Sequence, residues 1–298
     1  MNDQTRWARF RRSEDAAGLA LISPTLIVAL LLLGAPLALM FLYSFLTDSS
    51  QPATVDWTFT LENYTAALTE PIYRAVLWRS LYVSVLVTAA TVILAFPVAY
   101  FVSFHVAPNR KSLWLFLITI PFWTSYLIRV FLWKVILGFN GVVNSGLKTI
   151  GLIDEPLSFL LYNTNSIVLT LAHAYAPFAI LPIFVALEKI DRSLLEAGQD
   201  LGESRLMTFW RVTLPLAMPG VVAAVLIVLI PTVGDYVTPE VIGGGKLPMI
   251  ANLIQNRMLG LDNRPLGAAL AVVAMAAVGL LSVAFVFANR RFLKKTTR

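Results

Sequence analysis

Six long apolar runs dominate the sequence: Leu19–Leu46, Leu81–Phe104, Leu113–Leu137, Ile167–Leu187, about Leu216–Val237 and Leu266–Phe287. Roughly 20 apolar residues carry a helix across a bilayer, and inside lipid a helix satisfies every backbone group within its own segment. The runs therefore predict an all-α integral membrane protein with six transmembrane helices. Composition agrees, because 58% of the 298 residues are apolar and only 13% are charged, about half the charge of a soluble domain. The first run exceeds the core of a signal peptide and is expected to be a retained, tilted span. The fifth is short, with Pro215, Pro219 and Pro231 along it and Gly234 and Asp235 at its end.

Lys and Arg placement sets the expected orientation. Arg6, Arg9, Arg11 and Arg12 precede the first run. Arg110 and Lys111 lie between the second and third. Lys189, Arg192, Arg205 and Arg211 lie between the fourth and fifth, and Arg290, Arg291, Lys294, Lys295 and Arg298 follow the sixth. With six spans these segments share one side. The other side holds Arg74, Arg79, Lys148, Lys246, Arg257 and Arg264. Both termini are thus expected in the cytoplasm: a tail of residues 1–18, a membrane domain over 19–290 with a cytoplasmic loop at 188–215, and a tail of 291–298. The net charge of +6 is read as this topology signal, not as a nucleic-acid surface. Among the outer loops, Val143, Leu147 and Ile150 have helical spacing. That fits either a short amphipathic helix at the interface or an apolar loop packed on the spans.

No cysteine and only two histidines, His105 and His173, are present, which excludes disulfide frameworks, thiolate metal sites and multi-histidine centres. No phosphate-binding loop occurs. Gly243-Gly-Gly-Lys246 has the wrong glycine spacing, and Leu247 follows its lysine. No clustered set of His, Asp and Glu at membrane depth suggests an enzyme. A stand-alone secondary transporter or channel would show two repeats in many cases, and residues 1–150 and 151–298 show no convincing one.

Residues 196–215, EAGQDLGESRLMTFWRVTLP, interrupt the apolar pattern. Ser193-Leu-Leu-Glu196 fits a capping box, predicting a helix from Ser193. Gly202 stands where a left-handed cap would end it. Ser204 would cap a second helix carrying Leu206, Phe209 and Trp210 on one face.

This stretch resembles the cytoplasmic loop of permease subunits of binding-protein-dependent ABC importers. Their pattern is E-A-A, three residues, G, nine residues, I, one residue, L-P. Here Glu196, Ala197, Gly198, Gly202, Val212, Leu214 and Pro215 keep every spacing, with Gly198 in place of the second alanine and Val212 in place of isoleucine. Phe122-Trp-Thr-Ser-Tyr-Leu-Ile-Arg129, Pro156-Leu-Ser-Phe-Leu-Leu-Tyr-Asn163 and Gly234-Asp-Tyr-Val-Thr-Pro-Glu240 with Ile242-Gly-Gly244 resemble the PotB-type spermidine/putrescine permeases. The resemblance implies a type I (MetI-like) architecture in the bacterial inner membrane. It implies a second permease subunit, two ATPase subunits that carry the ATP and Mg, and a periplasmic solute-binding protein, with no cofactor or metal on this chain. Glu196, Ala197, Gly198, Asp200, Gly202, Leu214 and Pro215 would couple to the ATPase. The expected solute is a polyamine or similar small cation. The alternative is another small solute, such as an opine, an amino-acid derivative or a metal complex.

Charges within spans are costly, about 2.5–3.5 kcal/mol at the centre, and mark function by default. Arg129 lies sixteen residues along the third run and Asp235 sixteen beyond Pro219, each roughly 24 Å along at 1.5 Å per residue. At equal depth they could form a buried ion pair or gate. Alternatively Asp235 faces the solute path, with Trp123, Tyr126, Tyr236 and Glu240 adding cation–π and charge attraction for ammonium groups. Trp78, Trp114 and Trp133 are expected as interface anchors, Trp123 as a core-packing residue ahead of a path-lining one, and His173 as a packing residue.

Overall fold

A computed structural model describes residues 14–49, 54–261 and 263–293. The basic residues of both tails other than Arg290 and Arg291 lie outside these. Six helical stretches are long and apolar enough to cross a bilayer.

The first span is α1 (Glu14–Ala29), a π-helical turn at Leu30–Gly34, and α2 (Ala35–Tyr43). None of its apolar window is buried against the rest of the chain. An antiparallel hairpin follows, β1 (Leu46–Asp48) with β2 (Val55–Phe59), pairing Leu46 with Phe59 and Asp48 with Val55. Then come α3 (Glu62–Thr69) and the second span, α4 (Pro71–Phe104), of 34 residues. α4 starts ten residues before the expected Leu81. Pro71 at its first turn needs no donor partner, and Arg74 and Arg79 cap the apolar run without ending the helix.

The third span departs most from expectation, its long apolar helical stretch covering Tyr126–Thr149 in place of Leu113–Leu137. α5 (Pro108–Thr119) passes into a 3-10 turn at Ile120–Trp123, and α6 (Tyr126–Leu137) begins only after extended backbone at Thr124 and Ser125. Leu113–Leu137 is therefore two helices. Pro121 supplies no N–H, and the Thr124 N–H and hydroxyl both turn back to the Pro121 carbonyl, so the irregular backbone is partly satisfied locally. The segment at 141–150 is helical, as α7 (Val142–Thr149). Its Asn144 side chain bridges Gly138 and Leu157.

α8 (Thr164–Glu188) is the fourth span. The loop helices α9 (Arg192–Asp200) and α10 (Arg205–Thr208), with a π-helical turn at Phe209–Thr213, lead into the fifth, α11 (Leu214–Val233). α12 (Val237–Val241), α13 (Ile250–Gln255) and a π-turn at Asn256–Gly260 precede the sixth span, α14 (Arg264–Ala288), and α15 (Arg290–Leu293).

The core is the triangle of α4, α8 and α11. Val87, Ala95, Ala99 and Val102 of α4 meet Ile167, Leu171, Ile183 and Leu187 of α8 and Ala217, Ala224 and Val228 of α11. Small residues bring the backbones together. A Cβ at Gly220 would lie 2.5 Å from both the Ala186 Cβ and the Pro182 carbonyl oxygen, so α8 and α11 touch there through glycine alone. Three hydroxyls buried on these helices return to carbonyls one turn earlier, Thr88 to Ser84, Thr91 to Val87 and Thr232 to Val228, whereas the buried Ser84 and Thr170 hydroxyls have no partner among the described residues.

Candidate functional site

The loop between the fourth and fifth spans is two short helices hinged on one glycine. Asp191, not Ser193, caps α9: its carboxylate accepts the Ser193 N–H at 3.0 Å. Two caps two residues apart competed, and the longer reach of the aspartate starts the helix at Arg192. Bonding from Ser193, first through its N–H and then through its side chain, holds the Asp191 carboxyl below the usual carboxylate range. At the far end Gly202 adopts φ +87°. Its N–H reaches the Gln199 carbonyl, and the Glu203 N–H reaches Gly198, the paired bonds of a Schellman cap. Ser204 then accepts from the Met207 N–H, capping α10, and Arg211 binds the Glu203 carboxylate at 2.6 Å.

Glu196, Ala197 and Asp200 of α9 are exposed, and Leu201 beside the hinge is 86% exposed. The expected common face of Leu206, Phe209 and Trp210 does not form. The π-turn from Phe209 sends that ring inward onto Phe96 and Tyr100 of α4, while Leu206 and Trp210 stay exposed. Gly198 has a partner that the sequence pattern did not reveal. A Cβ there would lie 3.3 Å from Thr208 Cγ2, so the threonine occupies the space that the family's alanine would use. Leu214 and Pro215 open α11 and are half-buried.

The second group lies where the broken third span faces the end of α11. Asp235 is 7% exposed. Its Oδ1 accepts the Val237 and Thr238 N–H groups that open α12, and its Oδ2 accepts the Tyr126 hydroxyl at 2.8 Å. That hydroxyl also meets Thr238 Oγ1 at 2.7 Å. Arg129 and Asp235 form no direct ion pair. Tyr126 stands between them, with the Arg129 guanidinium carbon 6.0 Å from its ring centre. Arg129, 9% exposed, reaches only the Ala174 carbonyl at 3.5 Å, and its Nε has no partner. A rise of about 1.5 Å per residue from Leu113 to Arg129 holds only for a continuous helix, and the break over Ile120–Trp123 and the extended Thr124 and Ser125 ends it. Trp123 is 81% exposed, and Tyr236 and Glu240 are exposed with it. Trp133, expected as an anchor, donates its indole N–H to His173 Nδ1 at 3.2 Å. Thr238 is a further site residue, inside the Gly234–Glu240 motif but not among the residues singled out from it.

The family described as binding-protein-dependent transport system inner membrane component matches residues 19–298. The chain belongs to that family. It is a multi-pass inner-membrane transport subunit and not an enzyme. It is 36% identical over 252 residues to the spermidine/putrescine transport system permease protein PotB of Escherichia coli (strain K12), covering 85% of this chain and 90% of that one. It is 32% identical over 274 residues to the inner membrane ABC transporter permease protein YdcU of the same organism, covering 88% and 86%. Among solved structures, a chain of a bacterial ABC transporter that imports the acidic polysaccharide alginate superposes with a TM-score of 0.71 over 96% of this chain and 99% of that one, at 18% identity. That likeness carries the fold alone.

Proposed function

We propose that this chain forms half of the translocation path of an ATP-driven importer for a polyamine or a similar small cation, delivered by a periplasmic binding protein. The other half is a second, related permease, and two ATPase subunits bind from the cytoplasm. Both termini and the loop at 188–215 lie on that cytoplasmic side, in keeping with the Lys and Arg placement. The loop's geometry carries the reading. Exposed Glu196, Ala197 and Asp200 stand on a capped helix that Gly202 turns sharply back toward the fifth span, a stiff knob able to enter a groove on an ATPase. Leu214 and Pro215 pass its displacement into α11. Closure of the ATPases would move α9, tilt the spans and expose the path outward, a shift between two packed states driven by differential binding.

In the path, exposed Trp123, Tyr236 and Glu240 supply the aromatic faces and charge for an ammonium group. Asp235 and Tyr126 instead hold the start of α12 in place behind them. The spermidine/putrescine relatives at 36% identity support the polyamine. A second reading, a solute that also carries a carboxylate, is favoured by the spare donor of buried Arg129.

Labelled spermidine uptake into proteoliposomes holding all the subunits tests this, with and without ATP, against putrescine, opines and amino acids as competitors. ATP-dependent uptake blocked by polyamines alone supports the main reading. Blocking by amino acids or opines supports the second, and uptake that ignores ATP sinks both. Gly202→Asp should leave the protein in the membrane and abolish ATP-driven uptake.

A further inference from the structure

A polar knot sits where the coupling loop leaves the fourth span, made of residues outside the family motif. One carboxylate oxygen of Glu188, the last residue of α8, takes two donors: Lys111 Nζ of α5 at 2.6 Å and the Ser103 hydroxyl of α4 at 2.6 Å. Ser103 is buried, and the Lys111 side chain is only 13% exposed. Four residues beyond Glu188, Arg192 opens α9. Its Nη2 donates to the Ser103 carbonyl at 3.3 Å, and its guanidinium carbon lies 6.0 Å from the Phe104 ring centre. Between them Ile190 is buried, and Leu195 of α9 packs on the same core. α9 is therefore fastened to the second span through Arg192 on Ser103 and Phe104, and the end of the fourth span that leads into it is fastened to the second and third through Glu188 on Ser103 and Lys111.

We infer that Glu188, with Lys111, Ser103 and Arg192, is the positioning device that passes the movement of α9 into the second and third spans. The Gly202 turn and α10 serve the fifth. This rests on the coupling reading of residues 188–215. The physical reason is stiffness. A loop joined to a bundle only through the chain can swing on its two ends without moving its neighbours. A charge-assisted bond of 2.6 Å is short and directional, so a rotation of α9 must drag Lys111 and Ser103 or break the knot. Two donors on one oxygen also make the second and third spans share that load.

The test is the number of ATP molecules hydrolysed per solute imported, measured in proteoliposomes of the whole complex for Glu188→Gln and Ser103→Ala. Glu188→Gln keeps an acceptor and removes the charge. Ser103→Ala removes the hydroxyl bond between α4 and Glu188, and leaves the ion pair with Lys111 and the Arg192 bond to the backbone carbonyl of residue 103. Loss of coupling should raise the ratio about fivefold or more for Glu188→Gln and by less for Ser103→Ala, with the ATPase still assembled and turning over. A merely structural role would lower the amount of complex and leave the ratio unchanged, and that result in both variants overturns the inference. Gly202→Asp is the companion arm. If it uncouples and the two knot variants do not, the knot alone is wrong. If it too keeps a normal ratio, the coupling reading of the loop fails.

Discussion

Gly220→Ala should destabilise the protein far more than the addition of one methyl group suggests. The new Cβ would meet the Ala186 Cβ and the Pro182 carbonyl oxygen at 2.5 Å and the Ile183 Cα at 3.1 Å. Carbon atoms rest about 3.5–4.0 Å apart, so the overlap is about 1 Å. Two of the three obstacles are backbone and cannot rotate away, so α8 and α11 must separate along a crossing that buries Ile183, Leu187, Ala217, Ala224 and Val228. Overpacking of this kind costs about 1–3 kcal/mol. That corresponds to a fall in Tm of roughly 2–4 °C for each kcal/mol on the scaling of soluble domains. Thermal unfolding of the purified protein in detergent reads it. Gly279→Ala on α14 is the control, because nothing lies within 4 Å of its Cβ, and it should be neutral or slightly stabilising. Gly220→Ala combined with Ala186→Gly should recover only part of the loss, since the Pro182 oxygen remains. Equal melting of Gly220→Ala and Gly279→Ala would refute the close crossing.

Gly198→Ala should be nearly neutral alone, because its gain in helix propensity is offset by Thr208 Cγ2 at 3.3 Å. On a Thr208→Ser background the same change should stabilise the protein by about 0.5–1 kcal/mol, a non-additivity visible in a thermal double-mutant cycle. Asp235→Asn keeps an oxygen for the Val237 and Thr238 N–H groups and should retain much of the uptake. Asp235→Ala should lose about 1–2 kcal/mol as a lost cap, and Glu240→Gln should raise the KM for a cationic solute. The Asp191 carboxyl titrates below its unfolded range, so its contribution is present above that range and disappears as pH falls through the lower folded value. The exchange protection of the Ser193 N–H, relative to its intrinsic rate, should fall over that acid window in the native protein, and Asp191→Asn should flatten the response.

Much of this was legible because lipid enforces simple rules. Apolar length found the spans, and Gly202 and Ser204 announced their caps because a left-handed turn and an unfilled N-terminus each demand a particular residue. Other features turned on contacts across the fold. Pro121 inside an apolar run is compatible with a kinked helix or a broken one, and only Thr124 and Ser125 leaving helical geometry settle it as broken. Arg129 and Asp235 do not pair, because Tyr126 lies between them, its ring toward Arg129 and its hydroxyl on Asp235. Ser193 and Asp191 were both adequate caps. Gly198 looked like a blemish in a motif until Thr208, ten positions on, was seen to fill its place.

The interruption at residues 120–125 gives the third span an unexpected property. A continuous helix is a torsion bar: twist applied at one end arrives at the other. Here extended backbone at Thr124 and Ser125 separates α5 from α6, so axial rotation of α5, which holds Lys111, is absorbed at this joint before it reaches Tyr126 and Arg129. The third span is thus expected to pass on less of a turn than an unbroken helix would.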